Sequence, residues 1–92
     1  GIPQVEKPPQ LKARGGCWFE SALIRVHLGV EEGFRPAKKA HPALLVNGLS
    51  EMKQRLVQAG VEVVDDEALP GFERCYAHDP FGNRLELLEP LP

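Results

Sequence analysis

The stretch Asp79-Pro80-Phe81-Gly82-Asn83-Arg84-Leu85-Glu86-Leu87-Leu88-Glu89-Pro90 decides the fold. Its first five residues are turn chemistry. Asp and Asn side chains bond their own backbone, Pro presets φ, and Gly supplies positive φ. The next residues alternate, with Leu85 and Leu87 on one face and Arg84, Glu86 and Leu88 on the other, the period of a half-buried strand. Phe72 to His78 is a second strand-like run, so residues 79–83 close a hairpin. A hairpin centred on Phe81 places Tyr76 across from Glu86 on a shared face.

Working back from this hairpin, Pro70-Gly71 marks a turn. Val61 to Val64 reads as a strand, followed by the acidic run Asp65-Asp66-Glu67. Leu49, Met52, Leu56 and Ala59 recur at helical spacing and predict a helix over Leu49 to Ala59. Asn47 or Gly48 starts it, Glu51 suits the positive end of its dipole, and Gly60 follows its end. His41 to Asn47 is a short apolar strand with Pro42 near its start, where a missing ladder donor is tolerated. From His41 the order is β-α-β-β-β.

Upstream, Gly29 to Ala40 is a charged linker without a clean period. Cys17 to Glu20 and Leu23 to Leu28 read as two strands joined at Ser21-Ala22, a turn that puts Trp18 opposite Arg25. Arg14-Gly15-Gly16 is a turn signal. Gln4 to Glu6 forms a short edge strand, and Pro3, Pro8 and Pro9 argue against a helix anywhere in Gly1 to Ala13. The second block resembles the first with a leading strand and helix added, a repeat of structure without an evident repeat of residues.

A chain of 92 residues implies one domain with a small core. The net charge of -2 offers no electrostatic footprint for nucleic acid or a membrane surface. No apolar run approaches a membrane span, and the polar start is not a signal peptide. Cys17 and Cys75 form no CxxC pair. They read as buried free thiols, and a cytoplasmic location is expected by default.

The runs His41-Pro42-Ala43-Leu44-Leu45-Val46 and Asp79 to Pro90 resemble the two hallmark strands of a vicinal oxygen chelate unit. That superfamily holds glyoxalase I, the fosfomycin and bleomycin resistance proteins and the extradiol dioxygenases. The resemblance covers His41 to Pro90 well and Gly15 to Gly29 more loosely. It implies an α+β fold of paired βαβββ units, the second complete and the first lacking its opening strand and helix. The layout would be a single glyoxalase-like domain over 1–92: a remnant of the first unit over 1–30, a linker over 31–40 and the second unit over 41–90.

In such a fold the second unit gives a divalent metal a His from its first strand and a Glu from its last. These positions match His41 and Glu86. On the last strand of the first unit, where several relatives carry Glu, the residue is Arg25, and His27 on the same face is the candidate third ligand. The metal implied is Zn, Ni, Mn or Fe, held weakly or not at all by this chain alone. The resemblance assigns Glu86 and Tyr76 as catalytic, since the ten-residue spacing from Tyr to Glu is similar to the dioxygenase pattern. Arg25, Trp18, Phe72 and Arg74 would line the cavity.

Three functions follow from the resemblance and stay open. One is a metal-dependent lyase, isomerase or dioxygenase that polarises two vicinal oxygens of a small substrate. The second is a metal-free protein that binds a small molecule, as bleomycin resistance proteins do. The third is an inactive, truncated relative. Structural roles compete at each position: His41 as a strand-entry residue, Glu86 facing water, His27 as a satisfied strand histidine, Asp79 and Asn83 as turn formers. Arg35, Lys38 and Lys39 read as a solvated loop. An incomplete first unit leaves a sheet edge open, so a homodimer is expected.

Overall fold

The computed structural model describes residues Gly1–Pro92. The chain divides into two compact units, Gly1–Arg35 and Pro36–Pro92.

The first unit holds β1 (Gln4–Val5), α1 (Pro9–Lys12), β2 (Cys17–Glu20) and β3 (Arg25–Leu28), with an antiparallel sheet in the order β1-β2-β3. The short helix α1 corrects the expectation that the prolines exclude one. Pro9 occupies its first turn, where the missing N–H has no intrahelical partner to lose. The β2–β3 register also differs from expectation. Trp18 faces His27 and Glu20 faces Arg25. The Ser21 N–H donates to Ile24 O at 2.9 Å, so Ala22 and Leu23 form the tip and the hairpin is longer than a turn at Ser21-Ala22 allows. The shift is two residues, so face parity survives: Trp18, Glu20, Arg25 and His27 share one face. Gly16, at φ 79°, passes so close to Leu28 that a Cβ would lie 2.1 Å from its carbonyl oxygen. Only glycine fits there.

The second unit holds β4 (Ala43–Leu45), α2 (Leu49–Gln58), β5 (Glu62–Asp65), β6 (Phe72–His78) and β7 (Arg84–Pro90). The sheet order is β4-β7-β6-β5, with β4 parallel to β7 and the other pairs antiparallel. This is a complete βαβββ unit. Leu49, Cys75 and Leu87 form its core, flanked by Leu44, Val46, Met52, Leu56 and Val63. All the strand residues of this cluster point to the side covered by α2. The apolar stripe of the helix and the odd-numbered residues of β6 and β7 therefore explain each other. Cys75 is fully buried, Cys17 half-buried, and both are free thiols. Burial pushes the Cys75 thiol above its ordinary pKa.

Two local devices fix the frame. Asp79 Oδ1 accepts from the backbone N–H of Phe81 (2.9 Å) and of Asn83 (2.8 Å), and Oδ2 accepts from Asn83 Nδ2 (2.7 Å). Burial would raise the Asp79 pKa, but the bonds from Asn83, Phe81 and Gly82 outweigh it and hold the carboxyl below its usual range. The second device starts α2. Gly48 is the N-cap in left-handed conformation and has no side chain to cap with. Glu89 of β7 replaces that cap, accepting from Gly48 N (2.6 Å) and Leu49 N (3.1 Å).

The registers reveal a residue-level repeat. In β2–β3, Cys17 faces Leu28, Trp18 faces His27, Phe19 faces Val26 and Glu20 faces Arg25. In β6–β7, Cys75 faces Leu87, Tyr76 faces Glu86, Ala77 faces Leu85 and His78 faces Arg84. Cys-aromatic on one strand and Arg-apolar-X-Leu on the next recur in the same pairing. His27, not Arg25, therefore holds the place of Glu86, and Arg25 holds that of Arg84. No helix is long and apolar enough to cross a membrane.

Candidate functional site

The face of the second sheet away from α2 carries the polar residues. Strand parity puts Phe72, Arg74, Tyr76 and His78 of β6 there, beside Arg84, Glu86 and Leu88 of β7. His41 reaches this face because β4 runs parallel to β7. Ala43 registers with Glu86, and the Glu86 N–H donates to Pro42 O at 3.0 Å, which carries the preceding residue over the Glu86 side chain.

His41 Nε2 lies 2.8 Å from Glu86 Oε1, and its Nδ1 lies 2.5 Å from Lys39 O. A carbonyl only accepts, so Nδ1 donates to Lys39. For Nε2 also to donate to a carboxylate, the ring must be an imidazolium. The bond to Glu86 is the main cause that raises the His41 pKa. The bond to Lys39 adds to it, while desolvation and the nearby Arg84 oppose it. Glu86 is 7% exposed. Its second oxygen, Oε2, lies 3.5 Å from Arg74 Nη1. Arg74 also donates to Tyr76 Oη (3.3 Å) and Glu67 O (3.1 Å), and meets Asp66 Oδ2 at 3.5 Å. The Glu67 N–H holds Asp66 below the usual carboxylate range. Burial opposes this, and the Tyr76 hydroxyl, Arg74 and Arg84 support it. The His41 ring meets the Tyr76 ring edge-on at 5.4 Å, and the Arg84 guanidinium sits 4.7 Å from the Tyr76 centroid.

The structure thus gathers His41, Glu86, Tyr76 and Arg74 into one cluster. Phe72 shares their face at the start of β6, half-buried and paired with Pro90. The remaining sequence candidates lie in the first unit. There His27 Nε2 meets Glu20 Oε2 at 2.8 Å, and its ring stacks on Trp18 at 3.7 Å and 2°. The partner of Trp18 is therefore His27 rather than Arg25, which is exposed and directly across from Glu20. A groove of about 510 Å³ also opens on the second unit, between α2 and the β5–β6 connection. The Lys53–Asp65 ion pair (2.6 Å) lies in its wall, and neither His41 nor Glu86 lines it.

As a metal centre the donor set is incomplete. His41 and Glu86 supply two ligand atoms, and Arg74 holds the other Glu86 oxygen. Nowhere does the chain gather three or more His, Cys, Asp or Glu side chains around one point. A resident divalent ion of the Zn or Fe(II) kind takes three or more protein ligands. The residues present do not by themselves fit one.

Two members of the site carried no expected role: Arg84 and His78. The alternation of β6 and β7 put both on the Glu86 face.

The fold is that of a vicinal oxygen chelate protein. The solved structure of a glyoxalase family protein from Bacillus anthracis superposes with a TM-score of 0.91 and is 49% identical, over 99% of this chain and 75% of that one. A member of the glyoxalase/bleomycin resistance protein/dioxygenase superfamily from Sphaerobacter thermophilus shares the fold, with a TM-score of 0.73 at 24% identity over 97% of this chain and 78% of that one. No model of a known protein family matches the chain, and no curated protein does. The chain belongs to the glyoxalase family. It spans about three quarters of the length of these two relatives.

Proposed function

We propose that this chain binds a small oxygen-bearing molecule on the His41–Glu86 face of its second unit, without a resident metal. The observation that carries this reading is the engagement of Glu86. One carboxylate oxygen faces the His41 imidazolium at 2.8 Å and the other faces Arg74 at 3.5 Å. A metal would have to displace a proton from His41 and compete with a guanidinium for the same carboxylate. The cations and Tyr76 instead offer donors and an aromatic surface to a ligand's oxygens. In this reading Arg74, Tyr76 and Phe72 contact the ligand.

The second reading is a metal-dependent lyase, isomerase or dioxygenase, with Glu86 and Tyr76 as its catalytic residues. It is favoured by the approach of His41 Nε2 to Glu86 Oε1, close enough for both to ligate one ion once the proton leaves. Calorimetric titration with Zn, Ni, Mn and Fe(II) separates the two. The first reading expects weak binding at most. Tight stoichiometric binding, abolished by His41→Ala and by Glu86→Ala, would replace it with the second. Loss also in His27→Ala would identify the third ligand.

A homodimer belongs to the same proposal. Each sheet ends in two outer strands, β1 and β3 in the first and β4 and β5 in the second, each with one edge outside the sheet. Sedimentation at micromolar concentration is expected to give twice the chain mass, and a stable monomer would refute it.

A further inference from the structure

We infer that the groove between the start of α2 and the β5–β6 connection is a second small-molecule site, and that its ligand is a primary amine on a short apolar body, held by Glu73. The site lies apart from the His41–Glu86 face, and the inference does not rest on the function proposed there.

The groove follows from the sheet. β5 ends at Asp65, opposite Cys75, so the opening residues of β6, Phe72 to Arg74, lie beyond its reach. The connection swings outward and rejoins β6 only at the Leu69–Phe72 bridge. The first turns of α2 stand over the gap that this leaves. The opening measures about 510 Å³, the size of a pocket that takes a small molecule. Leu49, Ala68 and half-buried Phe72 give it an apolar lining.

Charge decides what the groove admits. Three carboxylates line it, Asp65, Asp66 and Glu73, against two cations, Lys53 and Arg74. Lys53 is bound to Asp65 at 2.6 Å, and Arg74 meets Asp66 at 3.5 Å. Arg74 is also divided between Asp66 and Glu86, which lies outside the groove. No ion pair reaches Glu73.

The sheet register sets a second acid beside it. Glu73 stands directly across from Glu89 of β7. Like charges so opposed repel each other. Glu89 has an answer to its own charge in the N–H groups of Gly48 and Leu49 at the start of α2. Glu73 has none within the chain. An anion entering here would add to the repulsion, a neutral molecule would leave it in place, and a cation relieves it.

Hydrogen bonding narrows the class. An alkylammonium carries three N–H donors and no acceptor. Beside Glu73 the groove offers it the exposed hydroxyl of Ser50 and amide oxygen of Gln54. A quaternary ammonium has no donor for any of them. Lys53 already holds Asp65, so the incoming ammonium is directed to Glu73.

The test is NMR titration of the isotopically labelled chain at neutral pH with benzylamine. Benzyl alcohol is its neutral counterpart and benzyltrimethylammonium its counterpart without donors. Benzylamine is expected to shift the amides of Leu49 to Gln54, Asp65 to Ala68 and Phe72 to Arg74. It should bind about fivefold or more tighter than either control. Glu73→Gln should lower it to the affinity of benzyl alcohol with the fold intact, since the residue is exposed and loses a like-charge contact. If the glutamine variant unfolds, Glu73→Asp decides: it draws the carboxylate back, and undiminished binding there overturns the role of Glu73. Benzyltrimethylammonium binding as tightly as benzylamine overturns the amine class. Equal binding of benzylamine and benzyl alcohol, or an affinity unmoved by Glu73→Gln, overturns the charge assignment. Shifts from none of the three, or shifts centred on Tyr76 and Glu86 rather than on α2, overturn the groove itself. The function proposed for the other face then still stands or falls on its own metal titration.

Discussion

Glu86 is the residue on which the cluster turns: a nearly buried carboxylate whose two oxygens face two different cations. The bond to Glu86 is the largest of the causes that raise the pKa of its partner His41 above the ordinary 6.5. For a group whose folded pKa is raised, the stabilisation is fully present below the unfolded value. It is lost as the pH climbs through the folded one. The pair therefore weakens on the alkaline side of 6.5 and not on acidification towards it. Following the His41 Cε1–H resonance against pH should give a midpoint above 6.5, and Glu86→Gln should bring the midpoint down. A wild-type midpoint at or below 6.5 would refute the ion pair. Strand parity together with the family resemblance made the meeting of His41 with Glu86 legible from sequence. The claim of Arg74 on the second oxygen was not, because the sequence places Arg74 on the same face as Tyr76 without saying which acid its guanidinium reaches.

At the scale of elements, α2 depends on a residue of another strand. Gly48 brings the left-handed turn but no capping oxygen, and Glu89 supplies both acceptors from β7. Glu89→Ala should destabilise the second unit by about 1 kcal/mol, the usual worth of an N-cap. Glu89→Gln, which keeps an acceptor but not the charge at the helix dipole, should cost less. Urea unfolding monitored by helix signal measures both, and an alanine variant as stable as the parent would exclude the cap. The helix itself was plain from its stripe of Leu49, Met52 and Leu56. Its cap was hidden by the forty residues between the two partners. α1 was hidden for the opposite reason: prolines break helix interiors but suit a first turn. The β2–β3 tip shows how weakly Ser21-Ala22-Leu23 fixes a register. No Asn-Gly pair pins the turn, and only the cross-strand partners decide it.

At the scale of the whole molecule, the buried core lies in the second unit, at Leu49, Cys75, Ala77 and Leu87. The first unit reduces to a hairpin, its edge strand and one turn of helix. The repeat between the hairpins escaped a reading of the sequence because the β6–β7 loop is one residue longer than the β2–β3 loop. No single offset therefore superposes both strands. The sheet order carries a further consequence, in time rather than in space. β6 and β7 meet across a five-residue turn, whereas β4 must find β7 after α2, β5 and β6 have intervened. Local closures precede distant ones, since long loops cost more entropy and their contacts arrive late. His41 travels with β4, so Glu86 and Arg74 are aligned on the hairpin before the imidazole reaches them. In pulse-labelled refolding, amides of β6 and β7 should gain protection before those of β4. Earlier protection of β4 would reverse that order. A nascent molecule would then hold the carboxylate of the cluster before it holds the imidazole, and the His41–Glu86 contact would be among the late ones to close.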